Sequence, residues 1–229
     1  MKTMETLIVF LVSMSIFALP KNSIIVDMKN KILQAACDLF LNFGVKSVTM
    51  DDLATHLSIS KKTIYEYFNT KEGLVRSTTD YVFDHIETEL TEFLEVNQTK
   101  NPIELLFETY EFFKQKINQE QAPEFQLKKY FPDIYDDLTQ KKSQLTIRVT
   151  KKNLKQGIEQ GYYRSDIDLD VISKFYFAML IEIRDNDMFP SDLYKQSQIM
   201  YQFTIYHIRA IATAKGIQIL ENYLSKHEI

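Results

Sequence analysis

Apolar residues recur along this chain at three- and four-residue spacing, and strict alternation over the length of a strand is hard to find, so the pattern predicts helices throughout. The first periodic segment carries Ile32, Leu33, Ala36, Leu39, Phe40 and Phe43 on one face, and Gly44 follows as a helix stop, which predicts a helix over about Asn30 to Phe43. Thr49 then stands before Met50, Asp51 and Asp52. A capping hydroxyl followed by acids in the first turn opens a short helix bearing Leu53, Ala54 and Leu57. Ser58-Ile59-Ser60 interrupts it, and Ser60 caps a second short helix, Lys61 to Phe68, whose inward face is Ile64 and Phe68. Thr70 caps a long fourth helix through Leu74, Tyr81, Ile86, Leu90 and Leu94.

After Lys100 the helices lengthen. Asn101-Pro102 opens one that runs to about Asn118, Pro123 a shorter one, and Pro132 a long one ending at Gly161. Asp166 to Asp170 caps a helix with Val171, Ile172, Phe175, Tyr176, Met179, Leu180 and Ile183. Pro190-Ser191-Asp192 is expected to start the last long helix, with Ile199, Met200, Phe203, Tyr206 and Ile211, and Gly216 separates a short terminal one. The fold class is therefore all-α.

Composition narrows the functional classes. A chain of 229 residues with 45% hydrophobic content can bury a full core, and its single cysteine, Cys37, excludes a disulfide framework and a thiolate zinc site. The net charge of -4 argues against non-specific coating of nucleic acid. That average conceals a local excess of base: Met28 to Arg76 holds seven bases (Lys29, Lys31, Lys46, Lys61, Lys62, Lys71, Arg76) against five acids (Asp38, Asp51, Asp52, Glu66, Glu72). The histidines His56, His85, His207 and His227 are far apart, and neither a nucleophile motif nor a glycine-rich phosphate loop is present. The reading is a protein that is no enzyme and needs no metal or cofactor.

Two short helices joined by a tight turn, with Ala54 at the close approach and Ile64 and Phe68 pinning the second to the core, make a helix-turn-helix. Its second helix then presents Lys61, Lys62, Thr63, Tyr65 and Tyr67 outward, donors suited to phosphates and base edges. Lys71 adds a cation at a helix amino terminus, where an anion is attracted. Any one of these lysines would be at home on a solvated surface, but two tyrosines and a hydroxyl on one exposed face of so short a helix are a poor choice for solubility alone.

The stretch Ile32-Leu33-x-Ala35-Ala36-x-x-Leu39-Phe40, Gly44, Ser47-Val48-Thr49-Met50-x-x-Leu53-Ala54, Ser60-Lys61-Lys62-Thr63-Ile64-Tyr65-x-Tyr67-Phe68-x-x-Lys71-Glu72-x-Leu74 resembles the TetR/AcrR DNA-binding domain in order and without gaps. The resemblance implies an amino-terminal three-helix DNA-binding domain over 28–75 and a helical effector-binding and dimerisation domain over 76–229. It implies that Ser60, Lys61, Lys62, Thr63 and Tyr65 face DNA, with Tyr65, Tyr67 and Lys71 mainly on phosphates, Lys62 and Thr63 best placed for bases, and Thr49 adding a contact. Two departures stand out: Ser58 occupies a turn position where the family often has Gly, and Lys62 a position where small residues are frequent, so the operator sequence is not inherited from the family.

The same resemblance implies a small organic effector held among aromatic residues, with Phe107, Tyr110, Phe113, Tyr130, Tyr176 and Met179 as candidate pocket residues. Glu182, Arg184 and Asp185 interrupt an apolar helix and could orient a ligand or pair across a seam. The last two long helices are apolar over more of their circumference than one domain requires. They are expected to pair with their symmetry mates in a homodimer through Phe175, Ile199, Phe203, Tyr206 and Ile211. The expected partner is double-stranded DNA carrying a pseudo-palindromic operator, and effector binding is expected to move the two recognition helices out of operator spacing.

One feature conflicts with this. Residues Leu7 to Leu19 form an apolar run behind Lys2 that reads like the core of a signal peptide, yet it is shorter than the ~20 residues a spanning helix needs, and no small-x-small site precedes Lys21. The expectation is a start at Met28, with residues 1–27 outside the fold, a cytoplasmic location and no membrane association. The competing reading is an exported or membrane-attached helical binding protein.

Overall fold

The computed structural model describes residues 28–116, 122–183, 188–190 and 192–227, with the side chains of 113–116, 122, 123 and 196 outside that description. The run Leu7 to Leu19, and Arg184 and Asp185, lie outside the described residues. Ten α-helices are described: α1 (Met28–Phe43), α2 (Met50–Leu57), α3 (Lys61–Tyr67), α4 (Lys71–Val96), α5 (Pro102–Lys116), α6 (Ala122–Tyr130), α7 (Pro132–Glu159), α8 (Leu169–Glu182), α9 (Gln196–Ile211) and α10 (Ala214–Lys226). They fall into two compact units, one holding the described residues up to Glu89 and those of Asn118–Lys141, the other those of Leu90–Ile117 and Lys142–Ile229.

In the first unit α1 buries Ile32, Leu33, Ala35, Ala36, Cys37, Leu39 and Phe40, the spacing of one apolar face. It stops because Gly44 adopts φ +85, a conformation that glycine enters without a steric penalty, and donates its N–H to the Phe40 carbonyl at 2.9 Å. A side chain at Gly44 would also strike Gln126 of α6, whose Oε1 accepts the Lys46 N–H at 3.0 Å. Further along this unit the Lys141 ammonium meets Asp80 at 2.6 Å and Arg76 pairs with Asp137, joining α4 to α7 with exposed ion pairs that individually contribute little.

The α2–α3 turn passes through Ser58 at φ 56, ψ 38, the only non-glycine at positive φ among the described residues. An L-residue in that conformation costs about 1–2 kcal/mol, and glycine in its place gives back part of this as unfolded-chain entropy. Ser58→Gly should therefore raise stability by up to about 1 kcal/mol, read as a higher denaturant midpoint at unchanged slope. A lower midpoint would mean that the serine side chain stabilises the turn.

The second unit is built round Ile103, Phe107, Leu154, Tyr163, Ile208, Ile211 and Leu220, with Phe107 stacked on Tyr223 at 4.4 Å. A second cluster, Tyr176, Leu180, Ile183, Met200 and Phe203, joins α8 to α9. The segments after α7 and after α9 are tied together by Arg164 N–H to the Ile211 carbonyl at 2.8 Å and Thr213 N–H to the Tyr162 carbonyl at 2.9 Å. Gly216 permits this, since a Cβ there would lie 2.2 Å from the Tyr162 carbonyl oxygen.

One boundary differs from expectation. The last long helix begins at Gln196 and not at Pro190-Ser191-Asp192, because the Pro190 carbonyl accepts from both Leu193 and Tyr194 and closes a separate turn. The chain leaves that turn extended at Lys195, which caps α9 without a side-chain bond.

Candidate nucleic-acid interface and effector cavity

The recognition geometry is assembled from caps. Thr49 accepts the Asp52 N–H at 3.2 Å, while Asp52 Oδ2 accepts the Thr49 N–H at 2.8 Å and its hydroxyl at 2.7 Å, a reciprocal capping box. Those bonds from Thr49 hold the Asp52 carboxyl below the usual carboxylate range. At the far end of α2 the Ser58 N–H reaches the Ala54 and Thr55 carbonyls, and the Ile59 N–H returns to Ala54 at 3.0 Å. Two residues on, Ser60 Oγ accepts the Thr63 N–H at 3.0 Å and lies 2.8 Å from the Thr63 hydroxyl, which starts α3. Ile64 and Phe68 are buried, as are Leu53 and Ala54 of α2, so the inner face of α3 is set and its outer face is determined.

On that outer face Lys61, Lys62, Tyr65 and Tyr67 are exposed and Thr63 is half-buried. The Lys61 ammonium lies 2.7 Å from Asp51 of α2, a solvent-screened pair that a phosphate can displace at small cost. Lys62 has no hydrogen-bond or ion-pair partner among the described residues. The Lys71 ammonium donates to the Lys46 carbonyl at 2.7 Å, and partial burial lowers its pKa. At this point the amino terminus of α4 is capped by Thr70, whose hydroxyl accepts the Gly73 N–H at 3.0 Å.

Residues 32–78, which contain α2, α3 and the turn between them, match the family described as bacterial regulatory proteins, tetR family. The chain is 27% identical over 156 residues to the HTH-type transcriptional repressor KstR2 of Mycobacterium tuberculosis, covering 64% of this chain and 74% of that one. It is 27% identical over 167 residues to the HTH-type transcriptional regulator YhgD of Bacillus subtilis, covering 69% and 84%. Among solved structures, a transcriptional regulator from Cytophaga hutchinsonii superposes with a TM-score of 0.66 at 17% identity over 80% of this chain and 97% of that one. The chain carries a TetR-family DNA-binding region over residues 32–78. It is a DNA-binding transcriptional regulator with an amino-terminal helix-turn-helix and a helical carboxy-terminal region.

The second unit contains a cavity of about 840 Å³, including the solvent at its opening. Leu94, Leu105, Leu106, Val149, Leu180 and Met200 supply apolar walls, Tyr110 and Tyr176 aromatic ones, and Gln98, Thr109, Thr150, Lys152, Asn153 and Gln156 the polar lining. Of the aromatic pocket candidates, Tyr110 and Tyr176 line it. Phe107 does not; it is consumed by the stack on Tyr223 in the core. Tyr130 belongs to the other unit, at the end of α6, where the Lys46 and Lys129 ammoniums stand 4.3 and 5.4 Å from its ring centroid and Lys46 foremost lowers its pKa. Met179 is exposed on α8 and is not among the lining residues, and the Phe113 side chain lies outside the described residues. The sequence reading missed the α7 contribution because it followed aromatic residues; the available signal was Thr150, Asn153 and Gln156 recurring every three residues on an otherwise charged helix.

The seam candidates divide as well. Phe175 (62% exposed) and Tyr206 (72%) are on the surface, Ile199 is partly buried, and Phe203 (8%) and Ile211 (2%) are core residues of their own chain. Phe203 and Ile211 are therefore withdrawn as seam residues. Val171, Phe175 and Met179 form an exposed stripe at four-residue spacing along α8. Glu182 is exposed near the end of that helix. No helix among the described residues is long and apolar enough to cross a membrane.

Proposed function

We propose that this chain is a non-enzymatic cytoplasmic repressor that binds a pseudo-palindromic operator as a homodimer and leaves it when a small organic molecule occupies the cavity. The observation that carries this reading is the exposed face of α3, where Lys62, Thr63, Tyr65 and Tyr67 project from a helix fixed by Ser60 at one end and by buried Ile64 and Phe68 on its inner side. In this reading Lys62 and Thr63 read bases, and Tyr65, Tyr67, Ser60, Lys61 and Thr49 hold phosphates. Lys71 first orders the α1–α2 turn through the Lys46 carbonyl and offers the phosphate whatever its remaining donors reach. The dimer seam is the α8 stripe of Val171, Phe175 and Met179 together with Tyr206 of α9. The sign of regulation follows the relative KstR2, which is named a repressor.

Coupling would run through α4, a single uninterrupted helix that begins at Lys71 beside the helix-turn-helix and contributes Leu94 to the cavity lining. A ligand that binds one position of α4 more tightly than another shifts the population of DNA-competent dimers by that difference in affinity.

Selection of bound duplexes from a random pool tests the DNA-reading face. The wild type should yield two inverted half-sites. Lys62→Ala should change the preferred bases, whereas Tyr65→Phe should weaken binding to every sequence by a similar factor, because phosphate contacts position without specifying. An unchanged base preference for Lys62→Ala would remove that residue from base readout.

A further inference from the structure

We infer that the effector is a neutral, largely apolar molecule carrying one hydrogen-bonding oxygen, a hydroxyl or a carbonyl, which the hydroxyls of Thr150 and Tyr176 hold inside the cavity. The inference rests on the proposed role of the cavity as the effector site. Among the described residues, six aliphatic side chains and two aromatic rings form most of its wall, and no carboxylate lines it. The only cationic residue among the described lining, Lys152, is exposed to solvent.

Two lining groups are out of the ordinary. Thr150 is 5% exposed and Tyr176 is 7% exposed, and neither hydroxyl has a hydrogen-bond partner among the described residues. Other helical threonines nearby satisfy themselves: Thr146 donates to the Lys142 carbonyl at 2.8 Å and Thr109 to the Leu105 carbonyl at 2.7 Å. Thr150, one turn beyond Thr146 on α7, does not turn back in this way. Asn153, also in the lining, is already engaged, its amide donating to the Pro102 carbonyl at 2.8 Å and its oxygen accepting from the Tyr163 hydroxyl at 3.2 Å.

A buried hydroxyl without a partner is costly, and a molecule that completes its bonding recovers that cost on binding. Hydroxyls serve a neutral oxygen as donor or acceptor. They compensate poorly for an ionised head, which would lose its hydration without gaining a buried counter-charge. Selectivity for an oxygen-bearing ligand over its plain hydrocarbon is then built into the lining, because the hydrocarbon leaves both hydroxyls unsatisfied.

The test is calorimetric titration of the full chain with naphthalene, 2-naphthol and 2-naphthoate, which share one ring system. The wild type should bind 2-naphthol about tenfold more tightly than naphthalene, and 2-naphthoate more weakly than 2-naphthol. The 2-naphthol preference should fall severalfold in Tyr176→Phe and in Thr150→Val, and should survive in Thr150→Ser, which restores the hydroxyl and guards against a merely structural effect. The inference is overturned if naphthalene binds as tightly as 2-naphthol, if 2-naphthoate binds best, if no probe binds up to its solubility limit, or if the preference is indifferent to both hydroxyls. Anisotropy of the selected operator, measured without any probe, reports separately on the DNA-binding reading. Failure of probe discrimination with operator binding intact sinks only the ligand class.

Discussion

Phe175→Glu is expected to give monomers by sedimentation at micromolar concentration and to weaken operator binding by roughly a hundredfold, the usual loss when two linked half-site contacts become one. Helix content by far-ultraviolet circular dichroism should stay at the wild-type level, because Phe175 is 62% exposed within its own chain and its loss opens no cavity there. Val171, Phe175 and Met179 lie one above another on the same side of α8, while Ser173, Tyr176 and Leu180 face the core, so the helix is apolar on two sides and needs two neighbours. A charge in the middle of a self-complementary patch is met twice, once from each subunit, with no opposite charge to pair with. Phe203→Glu should behave differently: at 8% exposure, packed against Tyr176 at 5.2 Å between ring centroids, it should lose several kcal/mol of stability rather than cleanly dissociate a dimer. A Phe175→Glu protein that remains dimeric and binds its operator normally would move the seam elsewhere.

The second large effect concerns acid. His207 is buried against the rings of Tyr176 at 4.8 Å and Phe203 at 6.0 Å, and burial lowers its pKa from 6.5 to about 4. The folded protein therefore keeps His207 neutral at pH values where the unfolded chain has already taken up a proton. More protons on the unfolded state mean that stability falls as pH falls, starting near pH 6.5 and ending near pH 4, where the folded form protonates too. At about 1.4 kcal/mol per pH unit across that window, this one residue withdraws about 3 kcal/mol. Denaturant titrations of the wild type and of His207→Leu at pH 7, 5.5 and 4.5 isolate the contribution as a difference. Carboxylates that titrate nearby cancel in that difference, and Asp170, held at about 2 chiefly by hydrogen bonds from Lys151 and Lys174, titrates below the window. If the two proteins lose stability in parallel between pH 7 and 4.5, His207 is not the group responsible.

The helix-turn-helix was almost wholly legible in the sequence because its determinants are local. Thr49 with Asp52, Ser60 with Thr63, and Gly44 after Phe43 each set a helix end through bonds spanning four residues or fewer, and the inward pair Ile64 and Phe68 follows from helical spacing alone. The left-handed Ser58 was foreseeable only through the resemblance, which puts Gly at that turn position in many family members.

What the tertiary structure alone decided is which side of an apolar residue faces what. Periodicity identified α8 and α9 as apolar on more than one side, but it could not tell that Phe203 and Ile211 look inward while Phe175 and Tyr206 look out, since all four belong to the same pattern class. The cavity was likewise beyond a count of aromatic residues: Phe107 found a stacking partner 116 positions away in Tyr223, and Tyr130 found Lys46 and Lys129 within its own unit. Thr150 and Tyr176 became notable only because neither buried hydroxyl has a partner among the described residues, whereas Thr146 and Thr109 bond within their own helices. Local bonding is written in adjacent residues, whereas burial and the pairing of distant groups are properties of the packed chain, and it is the latter that turn Phe203 inward, leave Phe175 outside and line the cavity with Thr150 and Tyr176.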